Sequence, residues 1–134
     1  MGAPVSAMTG QDLPTLALTI TADAADTARR ALTRWLIDHG VAELSACDIV
    51  LAVTEATAEA VAHAPTSITV TATIHPARVV ATVTDDGRWR DPETGLGTLR
   101  GHGLGMVEAI TEHYDIAHSD DLTTLTAYFR LETA

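Results

Sequence analysis

Two adjacent stretches, Ile68-Thr-Val-Thr-Ala-Thr-Ile-His75 and Val79-Val-Ala-Thr-Val-Thr-Asp85, alternate apolar with mostly polar residues and are separated by only Pro76, Ala77 and Arg78. Alternation of period two is the mark of a half-buried strand. Strands joined so closely must pair antiparallel, because a parallel pair needs a crossover of about a dozen residues or more. Leu16, Leu18 and Ile20 alternate with Ala17, Thr19 and Thr21 in an earlier strand. Another lies near Tyr114–His118, and a last one near Thr123–Leu131. Between the first strand and the hairpin, apolar residues take helical spacing instead: Ala28, Ala31, Leu32, Trp35 and Leu36 within Ala24 to His39, with Gly40 as the stop. Ser45 is a candidate cap for a second helix that ends near Ala64-Pro65, with Asp48 in the position of a capping-box acid. A polar, glycine-rich segment from Asp86 to Gly103 leads into a short helix, roughly Leu104 to His113. The order predicts an α+β two-layer sandwich, a mixed or antiparallel sheet covered on one face by about three helices. A doubly wound parallel sheet is not expected.

At 134 residues the chain makes one domain, read as a flexible tail over residues 1–14 and a domain over 15–134. The net charge is −10, there is no lysine, and all eight basic residues are arginine. That balance argues against direct nucleic-acid binding and favours basic partner surfaces. The single Cys47 excludes an internal disulfide and a cysteine-based zinc site, and its apolar helical neighbours predict a packed thiol. No signal peptide or membrane-spanning run is visible, and the short match of Met1-Gly2 to Ser6 to a myristoylation pattern is discounted. A soluble, cytoplasmic chain with no membrane partner is expected.

The second helix carries an unusual stripe. At about 100° per residue, Asp48, Glu55, Glu59 and His63 fall within roughly a quarter of its circumference. The remainder of Asp48–His63 is apolar enough to be expected buried nearly all round. Glu55 and Glu59 stand at like-charge i,i+4 spacing, which costs about a few tenths of a kcal/mol unless offset. The stripe faces either water or a cation or ligand. Asp85 shares its strand face with Val79, Ala81 and Val83, and Thr123 shares one with Leu125, Ala127, Phe129 and Leu131. Together they suit a polar ligand edge inserted into an apolar pocket. Asp85 reads equally well as a turn-starting aspartate before Asp86-Gly87. Gly101-His-Gly103-Leu-Gly105 stands directly before a helix, where backbone N–H groups favour phosphate. Arg88, Arg90 and Arg100 flank the loop, in keeping with a phosphate-bearing ligand or with ordinary surface placement.

These pieces, in this order, resemble the histidine-kinase-like ATPase family, the Bergerat fold, and within it the small bacterial anti-sigma-factor serine/threonine kinases. Leu51-Ala-Val-Thr-Glu55-Ala-Thr-Ala-Glu59-Ala-Val-Ala-His63-Ala64 resembles the family's N box. Asp85-Asp-Gly87 resembles its first glycine box, and Gly101-His-Gly103-Leu-Gly105-Met106 its second. The resemblance covers about Leu16 to Leu131. It implies that Asp85 accepts a hydrogen bond from the adenine amino group of ATP, supported by Thr123, with Gly87 letting adenine approach. Gly101, Gly103, Leu104 and Gly105 would wrap the phosphates, with Asp86 to Arg100 as a short lid. Glu55 matches the family's general base, acting on a serine or threonine of an anti-sigma-factor antagonist. A sigma factor is the other implied partner, and a homodimer is a further expectation.

Two departures from the pattern stand out. The family's N box holds Mg²⁺ through an asparagine, whereas this chain has no asparagine and places Glu59 there. A carboxylate suits Mg²⁺ as a hard ligand, yet it adds a negative charge beside the triphosphate. Trp89 stands in place of a second glycine of the first glycine box, a bulk expected to narrow the pocket mouth or to pack over adenine. The alternative is a degenerate protein-interaction module with weak or no ATP turnover. A third reading gathers Glu55, Glu59 and His63, with His102, into a metal site.

Overall fold

The computed structural model describes residues 13–21, 24–62, 67–87, 105–119 and 121–131. Strands β1 (Thr15–Ile20), β2 (Ile68–His75), β3 (Arg78–Asp85), β4 (His113–Ser119) and β5 (Leu122–Arg130) form a single sheet in the order β1-β2-β3-β5-β4. Every neighbouring pair is antiparallel. The expected mixed-or-antiparallel sheet is therefore the antiparallel one. Helices α1 (Ala25–Asp38) and α2 (Glu43–Val61), with a short helix α3 over residues 105–110, make this an α+β fold.

Strand alternation decides which face is covered. Ile68, Val70 and Ala72 of β2, Val79, Ala81 and Val83 of β3, and Leu125, Ala127 and Phe129 of β5 all point into one core with Leu32 and Leu36 of α1 and Ile49 and Val53 of α2. A fully buried side chain of this kind contributes about 1.5–3 kcal/mol. The opposite face carries Thr69, Thr71, Thr73, Thr82, Thr84, Thr124 and Thr126, with Thr71 hydrogen-bonded to Thr82 and Thr84 to Thr124. Threonine supplies strand propensity there while leaving that face polar.

Helix α1 stops where Gly40 predicts. Gly40 has φ +88, and the N–H groups of Gly40 and Val41 donate to the carbonyls of Ile37 and Leu36. This pair of bonds satisfies the last carbonyls of the helix and folds Val41 back toward Leu36. Three expectations fail on α2. The helix begins at Glu43 behind Ala42, without a side-chain cap, so Ser45 lies inside its first turn. Cys47 is exposed. Leu44, Leu51 and Val61 are also exposed, Leu44 to 82%. A two-layer sandwich covers a helix on one side only, so an apolar composition does not bury it all round.

At the start of β1, the Ile74 N–H donates to the Pro14 carbonyl, so the sheet's bonding reaches one residue into the segment read as tail. Among the described residues no helix is long and apolar enough to cross a membrane.

Candidate functional site

The site begins with an anomaly of alternation. Along β3 the inward row Val79, Ala81, Val83 ends on Asp85, a carboxylate only 3% exposed. Burial of such a group is costly unless it is hydrogen-bonded. The Gly87 N–H donates to Asp85 Oδ1 at 2.9 Å. Asp85 thus does both things its residues allowed: it faces inward and it nucleates the turn. The next residue, Asp86, accepts the Ser67 N–H at 3.1 Å and ties the start of β2 to the end of β3.

Register extends the anomaly across the sheet. Ile20 pairs with Ile68, Ile68 with Asp85, Asp85 with Thr123, and Thr123 with His118. One transverse row therefore runs from apolar at β1 to polar at β4. Thr123 is 6% exposed, and its hydroxyl lies 3.1 Å from His118 Nδ1. His118 was not singled out from the sequence. Its signal was the register of the β4–β5 hairpin, which sets it opposite Thr123.

Helix α2 borders this end of the sheet. Its inward arc runs through Ile49, Ala52, Val53, Ala56 and Ala60. Angular spacing puts Val53, Thr57 and Val61 toward one flank and Asp48, Glu55 and Glu59 on the other. The first flank lines a cavity shared with α1, so the acidic flank turns away from α1. Glu55 and Glu59 are half-buried, while Asp48 is exposed. Among the described members of the stripe, only Glu55 and Glu59 are thus recessed.

Gly105 opens α3, which is anchored by the fully buried Val107. A Cβ built on Gly105 meets nothing within 4 Å, so neighbouring protein atoms do not demand a glycine there. Gly101, Gly103, Leu104, Trp89, His63, His102 and the arginines Arg88, Arg90 and Arg100 lie outside the described residues. Among the described residues no three His, Cys, Asp or Glu side chains are grouped to hold a metal ion.

Two solved structures share this architecture. The RsbU and RsbW domains of Rv1364c from Mycobacterium tuberculosis are similar over 88% of this chain, with 32% identity and a TM-score of 0.70. This chain spans about a third of that protein's length, 32%. The SiaB–SiaC complex from Pseudomonas aeruginosa matches over 95% of both chains with a TM-score of 0.70, and at 15% identity this is a likeness of fold. Residues 18–129, a span that takes in α2, the Asp85–Thr123 pair and both glycine clusters, match the model of the histidine kinase-like ATPase domain, and the chain belongs to that family.

Proposed function

We propose that the chain is an ATP-binding regulatory protein of the anti-sigma-factor type, a candidate protein serine/threonine kinase acting on an anti-sigma-factor antagonist. The observation that carries this is the buried Asp85–Thr123 pair at the polar end of an apolar row. A carboxylate there accepts a hydrogen bond from an exocyclic amino group, and the apolar residues beside it suit a flat ring. The donor set fits adenine. In kind, Glu59 also fits Mg²⁺, which takes one or two carboxylates and otherwise keeps phosphate and water.

Bound ATP supplies the phosphoryl group. The chain's own part is positional: Asp85 and Thr123 hold the base, and Gly87 and Gly105 leave room for backbone approach. Glu55, half-buried on the same flank as Glu59, accepts the proton of the attacking serine or threonine hydroxyl. Glu59 favours a second reading, a partner-binding module without turnover, because its charge replaces the neutral amide that the family uses.

Calorimetric titration with ATP, with and without Mg²⁺, tests the proposal on the native chain and on Glu59→Asn. Weak binding by the native chain and tighter, Mg²⁺-dependent binding by the variant are expected. Absence of heat from both removes the nucleotide. Phosphorylation of a candidate antagonist by native protein and by Glu55→Ala to equal extents removes Glu55 from the chemistry.

A further inference from the structure

On the flank of α2 opposite Glu55 and Glu59 lies a cavity of about 290 Å³ between α1, α2 and the β1–β2 edge. Ile20, Leu32, Val53, Val61 and Val70 supply its walls. It is open because Ala25, Ala28 and Ala58 stand where larger side chains would fill it. Among the described residues its polar side chains are Arg29, Thr54 and Thr57. The Thr57 hydroxyl is committed to the Val53 carbonyl at 2.7 Å, so Thr57 offers the cavity its methyl group. Apolar space of this kind is poorly satisfied by water and well satisfied by hydrocarbon.

Charge beside the mouth is mixed, with arginine in excess: Arg29, Arg30 and Arg34 against Asp26 and Asp38. Among the described residues Arg29 is the one charged member of the lining, and it also borders a shallow surface groove with Arg30, Arg34 and Asp38. In a chain of net charge −10, α1 therefore carries a local basic rim. Arg29 pairs with Asp26 at 3.0 Å, with both side chains largely in water, a contact of little strength that a better-placed anion displaces or joins. Helix α1 begins behind Ala24 without a side-chain cap, so its positive end sits at the same rim as Ala25.

We propose that this cavity binds a medium-chain aliphatic carboxylate, its tail among the alanines and valines and its head group at Arg29. A cavity of about 150 Å³ takes benzene, so roughly twice that volume suits an occupant of about ten to twelve heavy atoms, which sets the tail length. The occupant would stand on one flank of α2 and the candidate nucleotide on the other. The site does not depend on the nucleotide reading.

The test is a methyl-NMR titration of the full chain with decanoate and, in parallel, with uncharged decanol. Saturable shifts are expected at Ile20, Leu32, Val53 and Val61. Ala58→Leu fills the cavity from an exposed position and should weaken both ligands by about tenfold or more. Arg29→Gln should weaken decanoate by about fivefold and leave decanol unchanged. Unchanged binding by Ala58→Leu, or no saturation below the micellar range of decanoate, overturns the site. Equal effects of Arg29→Gln on both ligands overturn the head-group assignment. The same methyls shifting on dilution of unliganded protein would assign the cavity to a second copy. Their shifting on deletion of residues 1–12 would assign it to the chain's own N-terminus. Either result overturns the proposal.

Discussion

Asp85 and Glu112 sit at opposite ends of the β3–β5 pair and are held by opposite means. Glu112 meets two guanidinium groups, Arg130 at 2.8 Å and Arg78 at 3.1 Å, from residues paired across the ends of β5 and β3. The Arg130 hydrogen bond, aided by Arg78, holds its carboxyl below the usual value of 4.5 against the opposing effect of desolvation. Asp85 is buried, takes the Gly87 backbone N–H, and faces an apolar row with a hydroxyl opposite. Glu112 fastens the sheet's end with charge. Asp85 buries its carboxylate at a strand end and turn, the position to which the proposed function gives a ligand contact.

If that contrast holds, Asp85→Ala should reduce ATP affinity by about 100-fold, the loss of a charge-assisted hydrogen bond, in calorimetry. Glu112→Ala should leave it unchanged, and an equal loss in both would erase the distinction. Glu59→Asn should strengthen Mg²⁺-dependent binding by about tenfold, since one negative charge leaves the phosphate end. Thr123→Val should weaken ATP by about fivefold in the same calorimetry, a single neutral hydrogen bond. The smallest effect belongs to Glu112→Gln. A carboxyl with a lowered folded pKa adds stability above its unfolded value, and that gain fades as pH falls through the folded one. The Tm gap between native protein and Glu112→Gln should therefore be present above the ordinary carboxylate range and close as pH falls through the lowered folded value. Melts across an acid pH series read it.

The fold was legible because alternation specifies register: a one-residue slip would turn Val70 and Val83 outward and Thr71 and Thr82 inward. The same parity exposed Asp85 and Thr123 as misfits. His118 escaped notice because β4 is exposed along much of its length and its alternation fades before Ser119. Cys47 reads as packed because an alanine-rich helix has almost no contrast between faces, so composition overstates burial. Ser45 reads as a cap by residue type alone, while the helix already starts at Glu43. The cavity had no signal in the sequence, since alanine is unremarkable in any helix until its neighbours are known.

The Asp85–Thr123 pairing also has a place in the order of assembly. Thr71 and Thr82, 11 residues apart, belong to a hairpin that closes locally, whereas Thr84 and Thr124, 40 residues apart, meet only when β5 arrives beside β3. Loop closure makes the second event the slower one. The Asp85–Thr123 row is thus completed by the sheet's long-range seam, and the nucleotide proposed to bind there would act as a clasp on it. Amide exchange across β3–β5 should slow when nucleotide is added, while exchange across the β2–β3 hairpin changes less.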